Sequence, residues 1–306
     1  CHSGPSFIDF LGQDGSAEFS VDQPGPVGRV ITCEVCHNEK AHALTLATFP
    51  SDETIDLGEG NALCATCHSG TTSGEYVAIS ASDFDDDEVI ADSSFITPHY
   101  AYAAATLYGT EAKGGYEYAE KIYVGKFYHA EGVQTCTQCH DPHNLRTRVD
   151  YKGENVNLCA ACHPNVTDYA DYRQIYVDNV DYDADGTVEG LYHEIQGVQQ
   201  ILCGAIQQYA KEVIGTPILW ADQFPYLFVD TNDNGEVDEG EAGFPNRYTE
   251  FTPRLLRAGF NYQFSIKDAG AYVHNGKYVL QLLYDSIEDI ATVIDYPYDG
   301  IIRPVE

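Results

Sequence analysis

From Leu191 onward, apolar residues return at alternating steps of four and three, through Ile195, Val198, Leu202, Ala205 and Tyr209. That spacing winds one apolar stripe along a helix, and Gly215 with Pro217 predicts where the helix stops. Thr252 followed by Pro253 predicts the start of a second helix, because a threonine side chain caps free amide groups and proline fits the first turn. Leu280, Leu283, Ile287 and Ile290 mark a third. Thr97 and Pro98 predict the same kind of start for the Ala-rich stretch HYAYAAATLYG, which Gly109 can end. The rest of the 306 residues reads as irregular, so the expected fold is mainly α with extensive irregular loops. The stripes predict a small helical C-terminal domain over residues 171–306, following a loop-rich region over 1–170. No run approaches 18 apolar residues, so no membrane-spanning helix is expected.

Charge narrows the partners. With 48 acidic against 16 basic side chains the formal charge is −32, which disfavours nucleic acid and anionic membrane surfaces and favours cationic partners or metal ions. The run Asp83, Asp85, Asp86, Asp87 and Glu88 reads as a solvated acidic loop. Two other acidic stretches carry ligand spacing. DTNDNGEVDEGE, residues 230–241, sets Asp230, Asn232, Asn234 and Glu241 at oxygen-donor positions of an EF-hand-type calcium loop, with Gly235 at the sharp turn and Glu236 offering its carbonyl. DYDADG, residues 181–186, supplies Asp181, Asp183 and Asp185 at the same spacing, but its twelfth position is Tyr192, so Glu189 or Glu194 has to replace the missing carboxylate. Calcium at either loop would crosslink segments and neutralise acidic charge, a structural role.

The cysteines carry the chemistry. Eight of the ten fall into four copies of C-x-x-C-H: Cys33, Cys36 and His37; Cys64, Cys67 and His68; Cys136, Cys139 and His140; Cys159, Cys162 and His163. Two thiols at that spacing reach the two vinyl groups of one haem, and the adjacent histidine comes under the iron as its proximal ligand. A zinc ribbon or redox pairs would explain cysteine pairs but not a histidine after every second one. Haem is attached this way outside the cytoplasm, so an exported protein is expected.

Each iron then needs a sixth ligand. The chain has no methionine, which removes the His/Met pairing and leaves bis-His coordination or an open iron, with low potentials. His143 lies three residues beyond a proximal histidine, with Pro142 stiffening the link. His99 stands at a predicted helix start, His129 seven residues before Cys136, and His274 just ahead of a helix. These four, with His42, are the distal candidates; His193 is a weak one.

These residues and their surroundings, including FIDFLGQDGSA, PHYAYAAATLYGTEAKGGYEY, CTQCHDPH, DYDADGTVEG and HNGKYVLQLLYDSIEDI, resemble the multihaem c-type cytochromes exported by metal-reducing bacteria. The resemblance implies electron transfer through closely stacked bis-His haems, outside the cell or at its outer surface, and in some members polymerisation into conductive filaments. Its implied partners are other redox proteins, extracellular electron acceptors or further copies of the chain. It supports His99, His129, His143 and His274 more strongly than His42.

The opening CHSG repeats the end of CATCHSG at 64–70. Two readings stand: a fifth haem at Cys1 and His2, in a chain whose upstream part was cleaved, or a disulfide from Cys1 to Cys203, the other cysteine outside the motifs. The repeat through Ser3 and Gly4, and five proximal histidines facing five distal candidates, favour the fifth haem. For function, a carrier with every iron closed is expected over a nitrite- or hydroxylamine-converting enzyme, which needs one iron open. No C-x-x-C-K variant is present, and the remaining histidines suffice to close every iron.

Overall fold

The computed structural model describes residues 3–23, 25–26, 28–130, 133–144, 146–147, 159–167 and 170–305. Cys1 and His2, with the fifth haem expected there, lie outside the described residues, as does the side chain of Cys159. The fold is mainly α with long irregular connections. In chain order the elements are α1 (Gly4–Phe10), α2 (Cys33–Cys36), α3 (Glu39–His42), the antiparallel hairpin β1 (Leu46–Thr48) and β2 (Thr54–Asp56), α4 (Asn61–His68), α5 (Gly74–Ala81), α6 (Ala103–Tyr108), α7 (Cys136–Cys139) and α8 (Leu191–Tyr209). A second antiparallel hairpin, β3 (Ile218–Trp220) and β4 (Leu227–Val229), precedes α9 (Pro253–Lys267), α10 (Ala271–His274) and α11 (Gly276–Ala291).

The three predicted C-terminal helices form as their sequences direct. In α8 the stripe Ile195, Val198, Leu202, Ala205 and Tyr209 is buried, and Gly215, with φ of 91°, ends the short π-helical turn that follows it. The Thr252 hydroxyl accepts from Leu255 N at 3.1 Å to cap α9, and Asn275 does the same for α11 by accepting from Tyr278 N. Helix α11 packs between α8 and α9, and α5 packs on α9, so one apolar cluster extends from Phe7 to Ile301.

Buried side-chain amides tie the irregular segment 114–128 to this helical core. Asn261 on α9 accepts from Tyr116 N at 2.7 Å and donates to Tyr116 O at 3.0 Å. Gln281 on α11 accepts from Val124 N at 2.9 Å, and Asn275 donates to Gly125 O at 2.9 Å. Each bond replaces a ladder partner that a loop backbone lacks. The segment is thereby held on its way to His129.

Two expectations are corrected. The Ala-rich helix does not start at Thr97 and Pro98 but at Ala103. Thr97 turns its hydroxyl to its neighbour's carbonyl, Pro98 O, and Ala101 adopts φ of 63°, which no α-helix accommodates. Gly109 does end the helix, with φ of 52°. The acidic run 83–88 is also more than a solvated loop. The buried Arg254 guanidinium binds Asp87 (Nε to Oδ1, 2.7 Å) and Asp289, Arg257 binds Asp86 at 2.8 Å, and the Tyr209 hydroxyl donates to Asp87 at 2.7 Å. Those acids therefore clamp the run onto α8, α9 and α11.

Candidate haem-binding site

The four motifs sit on short helical turns. In α4, Cys64, Cys67 and His68 stand at positions i, i+3 and i+4, which share one helix face, so both thiols and the imidazole point the same way. In α7 a capping box holds Cys136–Cys139, with Gln138 Oε1 accepting from Thr135 N at 2.8 Å. His37 and His140 then leave their turns with non-helical backbone. The motifs are also close to one another. The Cys64 and Cys136 thiols hydrogen-bond, which pulls Cys64 down to about 7, and burial, then neighbouring Cys64, raises Cys36. Among the described residues Cys203, outside the motifs, forms no disulfide.

The structure brings predicted distal histidines to predicted proximal ones. Ring centroids are 6.2 Å apart for His37 and His143, with planes only 10° from parallel. They are 6.3 Å apart for His129 and His163 and 6.3 Å for His140 and His274. Two imidazoles bonded from opposite sides to one metal, each at about 2 Å, place their centroids roughly 6 Å apart. The residues present therefore fit a bis-histidine iron at three of the motifs. His42 lies 6.0 Å from His37, at a 55° tilt. His99 packs on Tyr100, and His68 bonds the carbonyl of Ala101, two residues beyond His99. His193 meets Gln174 and Tyr192 instead.

The electrostatics favour the neutral, metal-binding imidazole at two positions. Burial pushes His68 below its ordinary value, with nearby His274 adding to the effect, and burial followed by His163 does the same to His129. His274 differs. Burial opposes its charge, but Asp268 outweighs burial and raises it. Its Nδ1 lies 2.7 Å from Asp268 Oδ2. Nothing in the spacing of the sequence pointed to Asp268.

The acidic loops are shaped differently from each other. Carboxylate oxygens of Asp181, Asp183 and Glu194 lie within 4.8 Å of one another. Of the two acids expected to replace position twelve, Glu194, on α8, joins this cluster, while Glu189 contributes its backbone N–H to Glu194 Oε1 at 2.8 Å. Asp181 Oδ1 is buried without a hydrogen-bond donor among the described residues, and burial raises Asp183 to about 6. Asp185 accepts from Thr187 N at 2.7 Å. In the 230–241 loop, Asp230 accepts from Gly235 N at 2.8 Å, Glu236 N donates to Asn234, and Glu241 accepts from Thr231 N at 2.8 Å. Asp238, which sequence reading passed over, accepts from both Asn232 and Asn234, at 2.7 and 2.8 Å. It is the ninth position of the twelve-residue pattern, and that spacing could have found it.

A model of the doubled CXXCH motif matches residues 129–168, the stretch holding His129, His143 and two of the attachment motifs. The C-type polyheme cytochrome OmcB of Geobacter sulfurreducens, in two strains, is 28% identical over 273 residues, 80% of this chain and 32% of that protein. OmcC of the same organism, also described as a C-type polyheme cytochrome, is 26% identical over 293 residues, 86% of this chain and 33% of its own. This chain is a multihaem c-type cytochrome. The cytochrome spans about a third of the length of the curated relatives it matches. No solved structure matches it. Among its described residues no helix is long and apolar enough to cross a membrane.

Proposed function

We propose that this cytochrome is an electron-transfer unit whose irons are all closed by histidine, and that it works outside the cytoplasm. The observation that carries the reading is the set of three histidine pairs at metal-bridging separation. In this reading His37 pairs with His143, His163 with His129, and His140 with His274. His68 pairs with His99, whose segment it already bonds through Ala101, and His42 remains for an iron at Cys1 and His2. The cysteines of each motif, Cys33 and Cys36, Cys64 and Cys67, Cys136 and Cys139, Cys159 and Cys162, form the thioether bonds.

A bound haem supplies one-electron exchange between ferric and ferrous iron. The chain's part is to hold two neutral imidazoles on each iron, which leaves no position for a substrate, and to keep the potential low for want of a methionine ligand. The contact between Cys64 and Cys136 supports neighbouring attachment sites near enough for electron exchange along residues 1–170. Residues 171–306 serve as the helical support, with calcium at 181–194 and 230–241. The buried, donorless Asp181 Oδ1 supports the first of these ions. Redox proteins or extracellular acceptors are the proposed partners, and self-assembly into filaments is the widest form of the proposal.

Adding carbon monoxide to the reduced native protein tests the closed-iron reading. All haems should keep their six-coordinate spectrum; ready binding at one would turn the reading toward an enzyme. Pyridine haemochrome stoichiometry with intact mass counts the haems. Uniform isolated particles by negative-stain microscopy at high concentration would remove the filament.

A further inference from the structure

Asp268 lies at the junction of α9 and α10 and is almost fully buried, at 6% exposure. Its carboxylate is held at both oxygens: Oδ1 accepts from Gly270 N at 2.9 Å, and Oδ2 meets His274 Nδ1 at 2.7 Å. Its backbone carbonyl accepts from Ala271 N at 3.0 Å, opening the turn that ends in His274. Only Nε2 of His274 is then left for other use, and the ring lies 6.3 Å from His140. Holding the Gly270 amide ahead of α10 needs one carboxylate oxygen and no charge. The second oxygen, aimed at the far nitrogen of an imidazole, is the arrangement by which proteins orient a metal-bound histidine and strengthen its donation.

The geometry points to Asp268 as a positioning residue that lowers the potential of one haem, the one between His140 and His274, below what its imidazoles alone would set. A buried carboxylate accepting the Nδ1 proton makes His274 a more anionic ligand, and anionic donation favours the ferric state. His143 Nδ1, by contrast, stands 3.9 Å from Asp141 and is exposed. The inference rests on His274 being a ligand, as proposed above.

The experiment uses the full haem-loaded chain and compares Asp268→Asn, Asp268→Glu and His274→Ala by potentiometric titration with low-temperature electron paramagnetic resonance. Asp268→Asn removes the charge and keeps a single acceptor oxygen, which can turn to the His274 Nδ1–H and leave the Gly270 amide to other partners. It should move one haem about tenfold toward the reduced form, an upward shift of about 59 mV for a one-electron couple, with that haem still low-spin and the others unmoved. Asp268→Glu, which restores the charge, should recover most of the shift. Superimposable titrations of Asp268→Asn and the parent protein overturn the inference, as does an equal shift at every haem. His274→Ala separates the two levels. If it leaves every haem low-spin, the ligand reading itself fails; if it turns one haem high-spin while Asp268→Asn moves nothing, only the role of Asp268 fails.

Discussion

Asn261→Leu tests whether buried amides hold the loop that leads to His129. Leucine keeps asparagine's branching with bulkier methyl ends, so α9 is still filled at that position while the polar function is lost. Four partners lose it: Tyr116 N–H, accepted at 2.7 Å, Tyr116 C=O, reached at 3.0 Å, the Ser286 hydroxyl at 3.0 Å, and Leu282 C=O at 3.5 Å, which keeps its bond from Ser286. Stranding one buried backbone group costs about 1–3 kcal/mol, and two are stranded here. Tyr116 is only partly buried, so water recovers some of that cost. The expected loss is about 3 kcal/mol, read as a lower midpoint in guanidinium unfolding followed by far-ultraviolet circular dichroism. Ser286→Ala, which leaves the Tyr116 bonds intact, should lose only about 1 kcal/mol. A loss below roughly 0.5 kcal/mol for Asn261→Leu would refute the reasoning, since the backbone of 114–118 would then find its partners without the side chain.

His143→Ala and His129→Ala should each turn one haem high-spin, and the double variant two; a single variant that opens two haems, or none, would break the pairing with His37 and His163. Excess chelator should lower the melting temperature while the haem spectrum is at first unchanged, because the ligand oxygens of Asp181, Asp183 and Glu194 crowd within 4.8 Å and repel without a cation; an unmoved melting curve would remove calcium. Burial pushes the Glu117 carboxyl above its ordinary 4.5, against hydrogen bonds from Thr110 and Tyr278. Because the folded value is the higher one, the favourable contribution of Glu117 is complete below pH 4.5 and is lost as pH rises through the folded value. Glu117→Gln should therefore gain on the parent protein across that window, and parallel stability curves against pH would contradict it.

Local chemistry alone determined the attachment motifs, since thioether spacing and the adjacent histidine are properties of five consecutive residues. It likewise determined α8, α9 and α11, whose stripes and caps at Thr252 and Gly215 act within a turn or two. The failure at Thr97 shows where such reasoning stops. The cap was a sound local signal, but Tyr102 is fully buried with its ring against Gly70, where even a Cβ would come within 2.3 Å. Docking there leaves Ala101 at positive φ with its carbonyl on His68, and the helix starts after it. The acidic run at 83–88 is the same lesson in charge. Nothing within six residues of Asp87 could announce Arg254, which lies 167 positions away. Which histidine faces which, and that a carboxylate stands behind His274, depend on contacts between segments distant along the chain. Periodicity and spacing register only neighbours in sequence, whereas an iron held by two imidazoles joins neighbours in space, and only the packing of the helices brings those together.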